Sequence, residues 1–279
     1  MKVFLTCTEN TRDTLERTTI MRILSARRDI AVRDVFANLM FGDGDDVKCF
    51  MSQVFEANEV YLLPEVPTDR LKGKGYSYEV LKPGSILGGM STLAQVIAIT
   101  GHQPTRYDNL VSAFASGYIK GLRAAGATEE EIKEIALRDR LIRGSTLKTE
   151  RVAKERYEAG TVEGWCYVFK HGATNMSIID HVVMQFGDPA CTIIFTEDQE
   201  FVCDLEIFTS NSEAFRSVHM MLCANGYDVN TQKNSRTGLR TISAAFVQGR
   251  TRALKLEQLV EYANNPIRHD IYGVEPTTV

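Results

Sequence analysis

No run of apolar residues in this chain comes near the ~20 needed to cross a bilayer as a helix; the runs are short, as at 60–63, 96–99 and 244–247. The first residues, Met1-Lys2-Val3-Phe4-Leu5, turn polar at Thr6 and do not read as a signal peptide. These absences give the expectation of a soluble, cytoplasmic protein without a membrane partner. The six cysteines, Cys7, Cys49, Cys166, Cys191, Cys203 and Cys223, are scattered and form no C-x-x-C pair. Free thiols are therefore expected rather than a disulfide framework or a zinc ribbon. No internal repeat, low-complexity segment, complete catalytic motif or metal motif is present. Asp43, Asp45 and Asp46 lack calcium-loop spacing. His171 and His181 have no short Cys/His pair to anchor a zinc site. No cofactor is implied.

One further absence is local. Between Val229 and Leu256 there is no acidic residue, while Lys233, Arg236, Arg240, Arg250, Arg252 and Lys255 are basic, in a chain of formal net charge −4. A positive stretch on a negative body points to an anionic partner. An overall pI near 5.8 excludes a protein coated by nucleic acid on all sides but leaves a local site open.

What is present is ordinary for a globular protein: 279 residues, 44% hydrophobic and 24% charged, enough for one large domain or two modest ones. Apolar spacing reads as strands near 2–7, 31–41, 59–63 and 76–81. Helices are read at 13–28, from Asp45 or Asp46 to about 57, and at 91–100, 107–125, 129–143 and 147–158. Thr128 followed by Glu131 is a capping box, and Ser210 with Glu213 reads as a second. Residues 129–158 are rich in both charges, as a solvated helical surface is. Beyond Gly160 come a strand at 164–170, a helix at 175–186, and hairpins at 192–208 and 227–247. A helix to Asn225 and a last helix near 251–263 complete the order ββαββα from Thr192 onward. The fold class expected is α+β: an N-terminal α/β lobe (1–105), a central helical segment (106–160) and a C-terminal antiparallel sheet with helices on one face (161–279). Small residues Ala113, Gly117, Gly121 and Ala124 share one face of the 107–125 helix, which suggests close helix packing and a homo-oligomer.

The loop around Lys233 and Arg236 carries phosphate-contacting donors. Arg250, Arg252 and Lys255 crowd a helix start, where cations oppose the macrodipole. Six phosphate contacts to duplex DNA would give a log–log salt slope of magnitude ~5. Only Tyr227 and Phe246 are near enough to stack bases, so backbone or shape recognition is favoured. Arg240 has the parity of Ile242 and Ala244, which alternatively packs its stem at the end of a buried face. The first expectation is thus a non-catalytic protein that binds nucleic acid or an anionic protein surface through 229–256.

The alternative is an enzyme acting on a nucleotide or phosphorylated metabolite. Gly84, Gly88, Gly89 and Ser91 have the spacing of a phosphate loop between a strand and a helix, but Met90 stands where the lysine belongs. Backbone amides at the helix start remain as an anion cradle. The stretch Cys7 to Arg12 resembles the phosphate loop of low-molecular-weight tyrosine phosphatases. Its C-x4-R spacing is one residue short of C-x5-R, and Glu9 and Asp13 repel phosphate, so Cys7 reads as a strand-end thiol. The ββαββα order resembles half of a LAGLIDADG endonuclease in topology alone, without its helix signature.

Overall fold

The computed structural model describes residues 2–7, 14–28, 30–36, 60–62, 78–80, 90–170, 175–198, 201–233 and 238–264. The chain is α+β and separates into two compact units, Met1–Gly144 and Ser145–Val279. The boundary divides the central helical segment at Gly144, a left-handed position with φ 97°. The helix expected from Asp45 or Asp46 to residue 57 lies outside the described residues.

The first unit opens with β1 (Lys2–Cys7), α1 (Leu15–Ser25) and β2 (Ala31–Phe36), followed by β3 (Val60–Leu62) and β4 (Tyr78–Val80). All four strands are parallel, in the order β2-β1-β3-β4. Three helices follow: α2 (Thr92–Thr100), α3 (Arg106–Ala124) and α4 (Glu129–Ile142). Their apolar faces bury Leu93, Val111, Ile119, Leu122, Ile132 and Ile135 together with Ile20, Ile23 and Leu24 of α1.

The capping box at the start of α4 forms as the spacing predicts. Glu131 N–H donates to Thr128 Oγ1 and Glu131 Oε2 accepts from Thr128 N–H. Arg106 grips the same carboxylate through Nε and Nη2, at 2.6 and 2.7 Å. These contacts, Arg106 first, pull the Glu131 carboxyl down to about 2.

α3 is not the straight helix its periodicity predicts. It breaks at Tyr118, whose φ of 54° and ψ of −141° are strained for a buried aromatic residue. The break folds the second half back, so that a Cβ at Gly121 would overlap the Ala113 carbonyl oxygen. Glycine at 121 is thus required by a contact within the helix itself. The small-residue face expected to drive self-association has this internal use.

The second unit runs α5 (Leu147–Glu158), β5 (Thr161–Glu163), β6 (Cys166–Lys170), α6 (Asn175–Phe186), β7 (Cys191–Asp198), β8 (Phe201–Thr209), α7 (Ser212–Ala224), β9 (Asp228–Lys233), β10 (Arg240–Ala245) and α8 (Leu256–Asn264). The ββαββα order holds from β7 onward, within a six-stranded mixed sheet of order β5-β6-β7-β8-β10-β9. β6 and β7 pair in parallel, because α6 supplies the crossover that parallel neighbours need. One sheet face, with Val168, Ile193, Leu205, Ile207 and Ile242, packs under Val218 and Leu222 of α7 and Leu259 of α8. The opposite face is covered near β6, where Tyr167 stacks on Phe186 of α6 and Phe169 on Tyr157 of α5. Helices therefore lie on both faces, which corrects the one-faced arrangement expected. Asn211, not Ser210, caps α7, accepting from Glu213 N–H and Ala214 N–H at 2.8 and 3.3 Å. Its side chain is one atom longer and sits one residue nearer the helix.

Two outcomes test this description. Gly121→Ala should lower stability by about 1–3 kcal/mol, the range for overpacking, read from the denaturant midpoint. A Gly121→Ala protein as stable as the parent would mean that α3 runs straight. The depressed Glu131 carboxyl adds stability that is present above pH 4.5 and lost as pH falls toward about 2. Glu131→Gln should flatten the acid limb of a pH–stability profile in that window.

Candidate functional site

In the first unit the order of the parallel strands reverses between β1 and β3. β1 is followed by α1 and pairs with β2 on one side, and β3 lies on its other side. Open α/β sheets bind ligands at the carboxyl edge beside such a reversal. The amino end of α1 follows β1. Its first amide, Leu15 N–H, donates to Asp139 Oδ1 of α4 at 3.1 Å, and Thr14 Oγ1 accepts from Arg17 N–H. Arg143 Nε donates to Asp139 Oδ2 at 2.8 Å and is 37% exposed, so a cation stands beside this buried acid.

Glu16, in the first turn of α1, closes the amino end of α2. Leu93 N–H donates to Glu16 Oε1 at 2.9 Å, and Thr92 N–H and the Ser91 hydroxyl also reach that carboxylate. Ala94 N–H is taken by Ser91 Oγ, which also meets Ser112 Oγ at 2.7 Å. Burial raises the Glu16 carboxyl above its ordinary value, and Asp139 adds to this against the hydrogen bonds. Asp108 behaves oppositely. Burial alone would raise it, but Thr105, His102 and the Arg22 guanidinium outweigh that and hold it low.

Ser91 of the expected anion loop is therefore a buried N-cap, and the first amides of α2 are engaged by the protein's own carboxylate. Gly84, Gly88 and Gly89 lie outside the described residues, as does Arg236 of the basic stretch. Lys233 is exposed at the end of β9, opposite Arg240. Arg240 is half-buried, its guanidinium 5.5 Å above the Phe215 ring, which matches the stem-packing alternative. Arg250, Arg252 and Lys255 are exposed between β10 and α8. Tyr227 is buried, its hydroxyl donating to Val202 O at 2.8 Å and accepting from Leu254 N–H, so its ring is not free to stack a base.

Registration brings in acids that the linear stretch lacks. Ala245, at the last position of β10, pairs with Asp204 on one side and Asp228 on the other. Next along the same face, Ser243 pairs with Glu206 and Asn230. Lys233 and Arg240 thus stand at one end of a six-residue strand, ~17 Å long, and the acids at the other. Alternation along β8 puts Asp204 and Glu206 on one face, but their meeting with Asp228 requires the pairing register.

Among the described cysteines, Cys166 and Cys191 face each other across β6 and β7. The hydrogen bond with Cys166, and then burial, push the Cys191 thiol well up, away from nucleophilic use. Among the described residues no three His, Cys, Asp or Glu side chains are grouped to hold one metal ion, and no helix is long and apolar enough to cross a membrane.

No protein-family model matches the chain, and no curated protein does. A solved structure similar to it is a pGpG-specific phosphodiesterase, PggH, from Vibrio cholerae, at a TM-score of 0.37 and 10% identity, covering 88% of this chain and 94% of that one. The expectation of a non-catalytic protein gripping nucleic acid through 229–256 is not upheld. The physical reason lies in the sheet, where Asp204 and Asp228 interrupt what reads in one dimension as a continuous positive stretch.

Glu16 yields a prediction. Its raised carboxyl favours the fold at low pH, and this contribution is lost as pH rises through the raised value. Glu16→Gln, which keeps an acceptor without the charge, should gain stability relative to the parent as pH rises above 4.5. Glu16→Ala, which strands buried amides, should cost about 1–3 kcal/mol per orphaned donor. Thermal melts across that range check both.

Proposed function

We propose that this chain is an enzyme acting on a nucleotide or a phosphorylated metabolite, bound at the carboxyl edge of the first unit's parallel sheet. The observation that carries the reading is the reversal of strand order between β1 and β3. β4 is parallel to β3 and its neighbour, and Gly84, Gly88 and Gly89 follow it in the sequence. Since Glu16 engages the α2 amides, the phosphate is held by the glycine segment ahead of the helix and by Arg143 beside the start of α1. Arg143 is a suitable ligand because a guanidinium offers a fork of donors to phosphate oxygens.

The test is turnover. The full chain is incubated with mononucleotides, dinucleotides and sugar phosphates, with and without Mg²⁺ or Mn²⁺, and products are read by phosphorus NMR and mass spectrometry. One substrate class should be converted, and Arg143→Gln should raise KM about tenfold, the effect of losing a charge-assisted contact. Absence of turnover and of any nucleotide-induced rise in Tm across the panel would overturn the reading.

A further inference from the structure

Among the described residues, the half of the second unit's sheet beyond α5 and α6 holds a cavity of about 330 Å³ that the proposed reaction does not use. α6 and α5 cover the face near β6, and beyond them the wall consists of Ile194, Asp204, Glu206, Asp228, Asn230, Ser243 and Ala245, with Asn175 at the start of α6. The size suits a small molecule.

The wall's chemistry is one-sided. Asp204, Glu206 and Asp228 are carboxylates with no ion pair among the described residues. Asn175 Nδ2 donates to Glu206 Oε2 at 2.7 Å, and that pairing leaves Asn175 Oδ1 buried with no donor. The polar groups are thus mostly acceptors, so the complementary ligand is rich in N–H donors and positively charged.

Spacing narrows the ligand further. Asp204 and Asp228 flank Ala245 on neighbouring strands, which places them ~10 Å apart, and Glu206 lies ~7 Å along β8 from Asp204. The three are not grouped for one metal ion. Ala245 lies between the two aspartates, and Ile194 adds apolar surface on the β7 side of Glu206. Carboxylates set around apolar surface fit separated ammonium groups joined by methylenes, whose stem lies on the alanine while the charges reach the carboxylates.

From this arrangement we propose that the β8-β10-β9 wall binds an aliphatic polyamine. Asp204 and Asp228 hold ammonium groups on either side of Ala245, and Glu206, steadied by Asn175, takes a further nitrogen.

Isothermal titration of the full chain with spermidine, putrescine and propylamine, and with Mg²⁺ as the metal control, tests this. Saturable binding at one site is expected, strongest for spermidine, weakest for propylamine, and weakened by salt. Asp204→Asn and Asp228→Asn, both at exposed positions, should leave Tm unchanged and weaken spermidine roughly fivefold each. Glu206→Gln should act in the same direction. No saturable binding, unaltered affinity in both aspartate variants, or Mg²⁺ binding more tightly and displacing spermidine would each overturn the proposal. None of these outcomes depends on turnover at the other unit.

Discussion

Buried carboxylates at helix ends organise the first unit. Asp139 of α4 meets the first amide of α1, Glu16 of α1 meets the first amides of α2, and Asp108 of α3 joins Arg22 of α1. Each acid supplies the acceptor that a helix amino end or a cation lacks, and the helix dipole rewards the negative charge. α1 takes part in all three contacts and follows β1 in the chain, so the helices are tied to the strand bordering the proposed ligand site. The same contacts explain why the amino end of α2 is unavailable to phosphate. A carboxyl group is already there, covalently part of the protein.

Much of the secondary structure was legible in the sequence because it depends on local rules. The helices at Leu147–Glu158 and Asn175–Phe186 match the apolar spacing, and the Thr128–Glu131 capping box is formed. The departures come from contacts distant in sequence or from backbone geometry without a compositional mark. Nothing in the composition around Tyr118 announces the break in α3, and the glycine that accommodates it, Gly121, is equally at home on a helix–helix face. The parallel pairing of β6 with β7 depends on which neighbours a sheet adopts, and short apolar strands do not encode that individually.

The sites were less legible than the fold for a related reason. A window without acids suggests a positive surface only if the window is neighbour to itself in space. Antiparallel pairing instead lays β10 between strands carrying Asp204 and Asp228, so acids stand at one end of a strand whose other end is basic. Arg240 was readable through its parity, since an arginine in phase with Ile242 and Ala244 must lay its stem on the apolar layer. Glu16 and Asp139 carried no such phase signal. Their significance lies in which helix end each one meets.

The crossover joining β6 to β7 also bears on how this unit assembles. The hairpins β7–β8 and β9–β10 close over short chain distances, and β8–β10 needs only α7 and β9 between them. The β6–β7 pair must wait for α6 to form and swing across the sheet, a slower event in any chain. Until it docks, β7 presents the open edge of a nascent four-stranded sheet, with the Cys191–Phe195 segment and its unpaired amides facing other chains. The hazard during synthesis is therefore concentrated at one strand border, and α6 is the element whose timely docking removes it.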